Sequence, residues 1–466
     1  MRSASNPQRF VAIARVLKPI VDRKRDEIRI EDKNRRRTMR KRSTLTSLAL
    51  VAALALVLAA CGGDTGDTTT TAAGGTTTTA GDTTTTSGDT TTSAEPGEPI
   101  KIGMLVDLSV TFTPWGVQVR DGMALAAEEI NAAGGVNGRM IEIVTQDSEN
   151  DADVGVTGFE RLVEEGVVAV GGIISSTVGA AVSPVAEELQ TPTFLVKSGT
   201  EAALTADSRH VFRTCLPAAA MVAAPILQYA QEQGITNVGV IVADYAWGQA
   251  VKASVENTFE GSEVDYGEIQ VAPVPPDTDF TPFVRAIADS GAEMVIATGH
   301  PPGNAAIVTL SADLVGDVPV TGAWTPPALV VGGLADLAIG RYSDFSCADY
   351  FSDSYQDLAA RYLAFSDNEL MSDDAVAGFG IVTMVADAVA NVGDDPAAIA
   401  EYLHSQSYEL EGYAHTVSWT EWGELAAAQP ILTLISEGPA PEGLNEAGDW
   451  WFELLSQSDP LEPFQP

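Results

Sequence analysis

The sequence is short of the residues that build metal and redox centres. It has three cysteines and four histidines among 466 residues, which leaves little room for a multi-ligand metal site. His210, His404 and His415 are scattered and lack ligand spacing. Positive charge is scarce too: 26 Lys+Arg stand against 64 Asp+Glu, a net charge of −38. Residues 1–42 hold 15 of the basic and 5 of the acidic residues, and residues 43–60 hold neither. From Cys61 onward this leaves 11 basic and 59 acidic residues. Such a surface repels phosphate backbones and excludes nucleic-acid binding. Phosphate-binding loops, nucleophile elbows and HExxH motifs are missing, and no Ser/His/Asp or Cys/His arrangement supports an exported hydrolase. With 45% hydrophobic residues, a chain of this length has material for a large core and is not disordered throughout.

The N-terminal region is organised for export. Leu48–Cys61 is a run of 14 small and apolar residues, too short for the ~20 that cross a bilayer but suited to the core of a secretory signal. The basic stretch Met39-Arg40-Lys41-Arg42 precedes it, so Met39 reads as the true start and residues 1–38 as a non-native extension. A genuine cytoplasmic tail is the alternative. The run ends Leu58-Ala59-Ala60-Cys61-Gly62, which resembles the lipobox of bacterial lipoproteins. The resemblance implies a signal peptide over 39–60 and diacylation at Cys61, and two acyl chains suffice for stable anchoring. Residues 61–97 then form a Thr/Gly/Asp-rich tether, with 16 threonines and no large apolar residue. A flexible chain of that length reaches roughly 30–36 Å.

From Glu98 short apolar runs alternate with helical periodicity. Strands are predicted at 100–106, 141–144, 167–171, 238–242, 264–270 and 294–297. Helices are predicted at 116–133, 152–165, 248–259 and 280–290, with another following Ser175-Ser176-Thr177 and running to 188. This alternation predicts an α/β fold with mostly parallel sheets covered by helices on both faces. About 370 residues of it exceed one sheet, so two lobes are expected. Ligands in such sheets sit beyond the carboxyl ends of strands. That selects 107–115, 173–177, 197–200, 244–247, 298–302 and 322–325.

The segments IKIGMLVDLS, GMALAAEEINAAGGVNGRMIEIV, RLVEEGVVAVGGIISSTVGAAVSPVAEE and DYAWGQ resemble type I periplasmic-binding proteins, in the branched-chain amino-acid/amide branch serving ABC importers. The similarity runs from about Ile100 to about Ile435. It implies two lobes joined by three hinge crossings, with lobe 1 at 98–215 and 348–416, lobe 2 at 216–347 and 417–452, and a C-terminal tail at 453–466. It implies a small-molecule ligand, an ABC permease and its ATPases as partners, no enzymatic activity and no cofactor. The location implied is the outer face of a bacterial membrane. A ligand-sensing receptor of the same fold is the alternative.

Residue by residue, the resemblance places Ser175, Ser176 and Thr177 around the polar head of the ligand, with Ser198, Gly199 and Thr200 opposite. Read alone, Ser-Ser-Thr before a helix is a plain N-cap. Trp115, Trp247 and His300 match aromatic positions framing the ligand. Trp324 stands where amino-acid binders carry an acidic residue for the α-ammonium, which predicts an uncharged or carboxylate ligand with an apolar or aromatic body. In a second reading Trp324 is packing and Asp244 supplies the charge. The resemblance also lays Cys215 and Cys347 on the first and second crossings, which run side by side, and so implies a disulfide. Two buried free thiols are the alternative. Asp147, Glu149, Asp151 and Asp153 alternate like a calcium loop, but Ala152 and Gly158 stand where that loop needs glycine and glutamate, and no metal is expected. Trp419, Trp422, Trp450 and Trp451 are expected as packing in lobe 2 and the C-terminal segment.

Overall fold

The computed structural model describes residues 97–274, 278–298, 301–322, 337–445 and 449–466. The signal segment, Cys61, the tether, His300 and Trp324 lie outside the described residues.

The first sheet is all parallel, in the order β2-β1-β3-β4-β5. Its strands are β1 Ile100–Val106, β2 Ile141–Asp147, β3 Ala169–Ile173, β4 Thr193–Leu195 and β5 Val211–Arg213. Helices α1 Thr113–Ala132, α2 Ala152–Glu164 and α3 Ser176–Glu188 connect them. The period of two along β1 decides which layer each side chain enters. Ile102, Met104 and Val106 face the large core shared with α1, and Leu105 joins Phe159, Leu162 and Val178 of α2 and α3. The Asp151 carboxylate caps α2 by accepting from the N–H groups of Asp153 and Val154. Asp147 accepts from the N–H groups of Leu108 and Glu149. Two carboxylates of the acidic stretch are therefore occupied by backbone donors.

The second sheet runs β12-β11-β10-β9-β8-β6-β7. It contains β6 Val238–Ala243, β7 Gln270–Ala272, β8 Met294–Ala297, β9 Val320–Gly322 and β10 Tyr342–Ser346, all parallel. The antiparallel strands β11 Ile431–Glu437 and β12 Trp450–Gln457 close one edge. Helices α4 Ala219–Glu232, α5 Ala246–Phe259, α6 Thr281–Asp289 and α7 Pro301–Leu314 belong here. The chain then returns to the first lobe with α8 Asp353–Phe365, α9 Asp373–Val392 and α10 Pro396–His404. Helix α9 lies so close to α1 that a Cβ on Gly122 would fall 2.1 Å from the Ala375 carbonyl oxygen.

Three expectations are corrected. The strand predicted at 264–270 forms only at Gln270–Ala272, because Gly267 turns with φ +54° and the Asp265 carboxylate accepts from its N–H. Residues 417–425 do not belong with the second sheet but run along β5. There Arg213 donates its N–H to the Gly423 carbonyl, and Trp419 packs on Phe212 at 5.1 Å. Trp419 and Trp422 therefore pack in the first lobe, and the third crossing falls near 426–430. The tail does not begin at 453, because β12 pairs with β11 through Gln457. Beyond it, Leu461 N–H donates to Ala428 O, and Trp422 Nε1 donates to Phe464 O.

Cys215 follows β5 and Cys347 follows β10. They are joined in a disulfide with a Cα–Cα distance of 5.3 Å, between the first two crossings. The bond closes a loop of 132 residues. The double substitution Cys215→Ser/Cys347→Ser should lower the unfolding free energy by about 3–5 kcal/mol, through the conformational freedom regained by the unfolded chain. Urea denaturation of both proteins without reductant checks this, and equal midpoints would refute it.

Candidate functional site

The candidate site forms where the carboxyl ends of β1, β3 and β4 in the first lobe meet the β6–α5 junction of the second. Each lobe opens with the same device. Gly116 and Gly248, in the first turns of α1 and α5, lie so close to the preceding strand ends that a Cβ would fall 1.7 Å from Asp107 O and 1.8 Å from Ala243 O. A tryptophan precedes each glycine, and Trp115 and Trp247 are both buried. The Trp115 ring lies 5.2 Å from Phe112, which lies 6.1 Å from Tyr245 of the other lobe. The Trp247 ring sits on Gly199, where a Cβ would fall 2.2 Å from its Cζ3 atom.

The polar side of the site comes from the first lobe. Ser175 caps α3, its Oγ accepting from Val178 N–H at 3.4 Å. Ser176 Oγ accepts from Gly199 N–H at 3.2 Å and retains its own O–H to donate. Ser198 Oγ is buried against Gly179 without a hydrogen-bond partner. Thr200 is buried and Thr177 is exposed. Asp107 is buried beneath, accepting from Ser148 Oγ at 2.7 Å and Asn150 N–H at 2.8 Å. Burial pushes its pKa up, against the lowering effect of these bonds and of the Ser175 N–H. Asp244 is exposed and accepts from Gln249 Nε2 at 2.8 Å.

Two buried cations brace the loop 197–200. Lys197 Nζ lies 2.7 Å from Asp373 Oδ2 and 3.8 Å from Asp374 Oδ1, at the start of α9. Burial opposes its charge, but Asp373 and Asp374 outweigh burial and hold its pKa above the ordinary lysine value. Arg213, at the end of β5, pairs with Glu424 at 2.8 Å, and both side chains are fully buried. Its Nη1 donates to Ser198 O and its Nη2 to Thr200 O. The carbonyl of Gly199 accepts from Ala219 N–H at 2.8 Å. The carbonyls of Ser198, Gly199 and Thr200 are therefore each held by a donor from outside the loop.

Burial, reinforced by Asp373, pushes the Asp374 carboxyl up to about 8. The folded protein thus keeps a proton that the unfolded chain, with an ordinary carboxyl near 3.8, has lost. The native state binds more protons between these values, so this group makes stability fall as pH rises from about 4 to about 8. Asp374→Asn should flatten that decline and be more stable at pH 8.5, by on the order of 2 kcal/mol. Urea titrations across the window check it, and parallel profiles for the two proteins would refute it.

The family described as periplasmic binding protein matches residues 99–435. The chain belongs to that family. Leu/Ile/Val-binding protein homolog 3 of Brucella melitensis is 30% identical over 212 residues, covering 43% of this chain and 54% of the relative. The chain thus spans about half the length of the curated relatives it matches. An ABC transporter substrate-binding protein from Sphaerobacter thermophilus superposes with a TM-score of 0.66 at 21% identity, over 78% of this chain and 99% of that one. A solute-binding protein of an R. palustris ABC transporter, solved in complex with benzoate, gives a TM-score of 0.66 at 18% identity, over 78% and 98%. These likenesses establish the two-lobed type I fold, and the homologues and fold neighbours are substrate-binding proteins, not enzymes.

For a periplasmic binding protein, the structure brings Ser176, Gly199 and Trp247 into contact, with Ser175, Ser198 and Thr200 beside them in the chain, while Trp115 packs on Phe112 and Thr177 is exposed. Phe112 and Tyr245 fall within the selected segments 107–115 and 244–247 without being singled out there, and sequence reasoning missed Arg213 and Glu424. A signal for Arg213 was present. Only 11 basic residues follow Cys61, and an arginine closing the apolar run Val211–Phe212 in so cation-poor a chain needs a buried partner.

Proposed function

We propose that the protein is an extracytoplasmic solute-binding lipoprotein that closes two lobes on a small carboxylate-bearing ligand and delivers it to an ABC importer. The observation that carries this reading is the opposition of a donor-rich surface to a buried aromatic. Ser175, Ser176 and the N-terminus of α3 suit an anionic head, and Trp247 lies directly across from Gly199. Trp115, Phe112 and Tyr245 extend the aromatic lining. Among the described cleft residues, Asp107 has its carboxylate engaged and Asp244 is exposed. This favours a carboxylate with an apolar or aromatic body, as in the benzoate of the R. palustris neighbour, over the zwitterionic head of leucine, isoleucine or valine. Lipid attachment at Cys61, ahead of a flexible tether, is the anchor in this reading.

Calorimetric titration of the purified protein with benzoate, 4-methylpentanoate, leucine and isoleucine tests the ligand class. The carboxylates without an ammonium group are expected to bind, and the amino acids at least tenfold more weakly. Tight leucine binding with weak 4-methylpentanoate binding would overturn the assignment. The anchor has its own test: Cys61→Ser should move the protein from the membrane fraction to the soluble fraction of expressing cells, and continued membrane partitioning would sink the lipoprotein reading.

A further inference from the structure

We propose that Arg213 is a positioning residue of the ligand site, holding the Ser198–Thr200 loop so that its N–H groups, and the Ser176 hydroxyl that Gly199 N–H engages, face a carboxylate. The inference rests on the reading of this loop as part of the ligand site. Arg213 closes β5, whose register sets it beside Leu195 of β4, so its guanidinium lies under the loop that leaves β4. One side of the guanidinium fork holds Ser198 O, the other holds Thr200 O, and Nε is held by Glu424. Gly199 O is taken by Ala219 N–H.

The consequence follows from the planar trans peptide, in which each carbonyl and the next N–H point in opposite directions. Holding the Ser198 carbonyl toward Arg213 turns Gly199 N–H the other way, where it meets Ser176 Oγ. Holding the Gly199 and Thr200 carbonyls fixes the next two N–H groups by the same rule. A carbonyl released from this hold and turned to the ligand would set an acceptor against an anion. Glu424 neutralises the guanidinium inside a fully buried pair, so Arg213 acts through the loop, not by attracting the ligand itself. Lysine cannot take its place, because a single ammonium does not present the planar fork that spans two carbonyls and a carboxylate.

The test is Arg213→Lys in the full chain, with two readouts. In the protein without ligand, amide hydrogen exchange should accelerate at least tenfold across residues 198–204 and stay unchanged in β1 and β3. In calorimetry, benzoate affinity should fall at least tenfold, while benzamide, which brings its own donor, should change less than threefold. Unchanged exchange at 198–204, exchange raised equally throughout the lobe, or wild-type benzoate affinity would each overturn the proposal. If Arg213→Lys does not fold, the double variant Arg213→Met/Glu424→Leu, which leaves no orphaned buried charge, is read by the same criteria. Should the wild-type protein bind neither probe nor 4-methylpentanoate, the carboxylate reading fails, and the exchange measurement still decides whether Arg213 positions the loop.

Discussion

Gly199→Val should weaken ligand capture roughly 100-fold and leave the protein folded. A Cβ at position 199 would fall 2.2 Å from Trp247 Cζ3, 2.8 Å from its Cε3 and 2.9 Å from Leu216 Cδ2. The indole is rigid and itself buried among Val251, Val255 and Leu216, so it has no room to yield. The clash lies between the lobes. Each lobe keeps helices on both faces of its own sheet, so the expected response is that the lobes remain apart. If the approach of the lobes becomes about 3 kcal/mol less favourable, affinity falls roughly 100-fold, because a ligand that needs the closed form binds only the fraction that adopts it. Calorimetry with whichever carboxylate the wild-type protein binds gives the affinity, and circular dichroism on heating reports the fold. Affinity within threefold of wild type would show that the ligand does not require this contact.

A stability effect as large as that of losing the disulfide is expected from Lys197→Met. The ammonium is the cation facing Asp373 and Asp374, and all three side chains are almost wholly buried. Removing it leaves the buried Asp373 and Asp374 without their cation, a loss of about 3–5 kcal/mol. The loss should grow with pH, because Asp374 retains its proton only up to about 8 and above that its charge has no buried cation beside it. The triple variant Lys197→Met/Asp373→Asn/Asp374→Asn removes all three charges and should recover most of the stability. Urea denaturation at pH 6 and pH 8.5 tests the series. A single variant as stable as wild type at pH 8.5 would remove the basis for treating the cluster as a charge network.

The pattern of alternating strands and helices was legible where a strand buries both its faces and reads as a near-continuous apolar run. Val238–Ala243 is of this kind, and Ile100–Val106 departs from it only at Lys101. The serines at the head of α3 were legible for a related reason, since a hydroxyl before a helix has a local use that sequence spacing records. The path of residues 417–425 was not legible. Their place beside β5 depends on contacts such as Arg213 N–H with Gly423 O, 210 residues apart in the chain, and no local periodicity encodes them. Arg213 itself escaped for a related reason: its buried partner Glu424 lies 211 residues away, and the carbonyls it holds belong to the loop after the preceding strand. The strand expected at 264–270 failed on a purely local signal, the Asp265–Gly267 turn, which the apolar residues around it concealed.

The Cys215–Cys347 bond bears on the kinetics of capture. Three connections link the sheets, and this bond fastens the first two together where they leave β5 and β10. Three independent strands would let one lobe bend, twist and slide against the other. Two strands fastened side by side act as one broad strap, and swinging about it remains easy while sliding along it does not. The unliganded molecule therefore samples a narrow arc of orientations, with little orientational entropy left to lose on closing. In this protein an oxidising exterior does more than preserve a cross-link, because it sets how directly the open molecule finds its closed form.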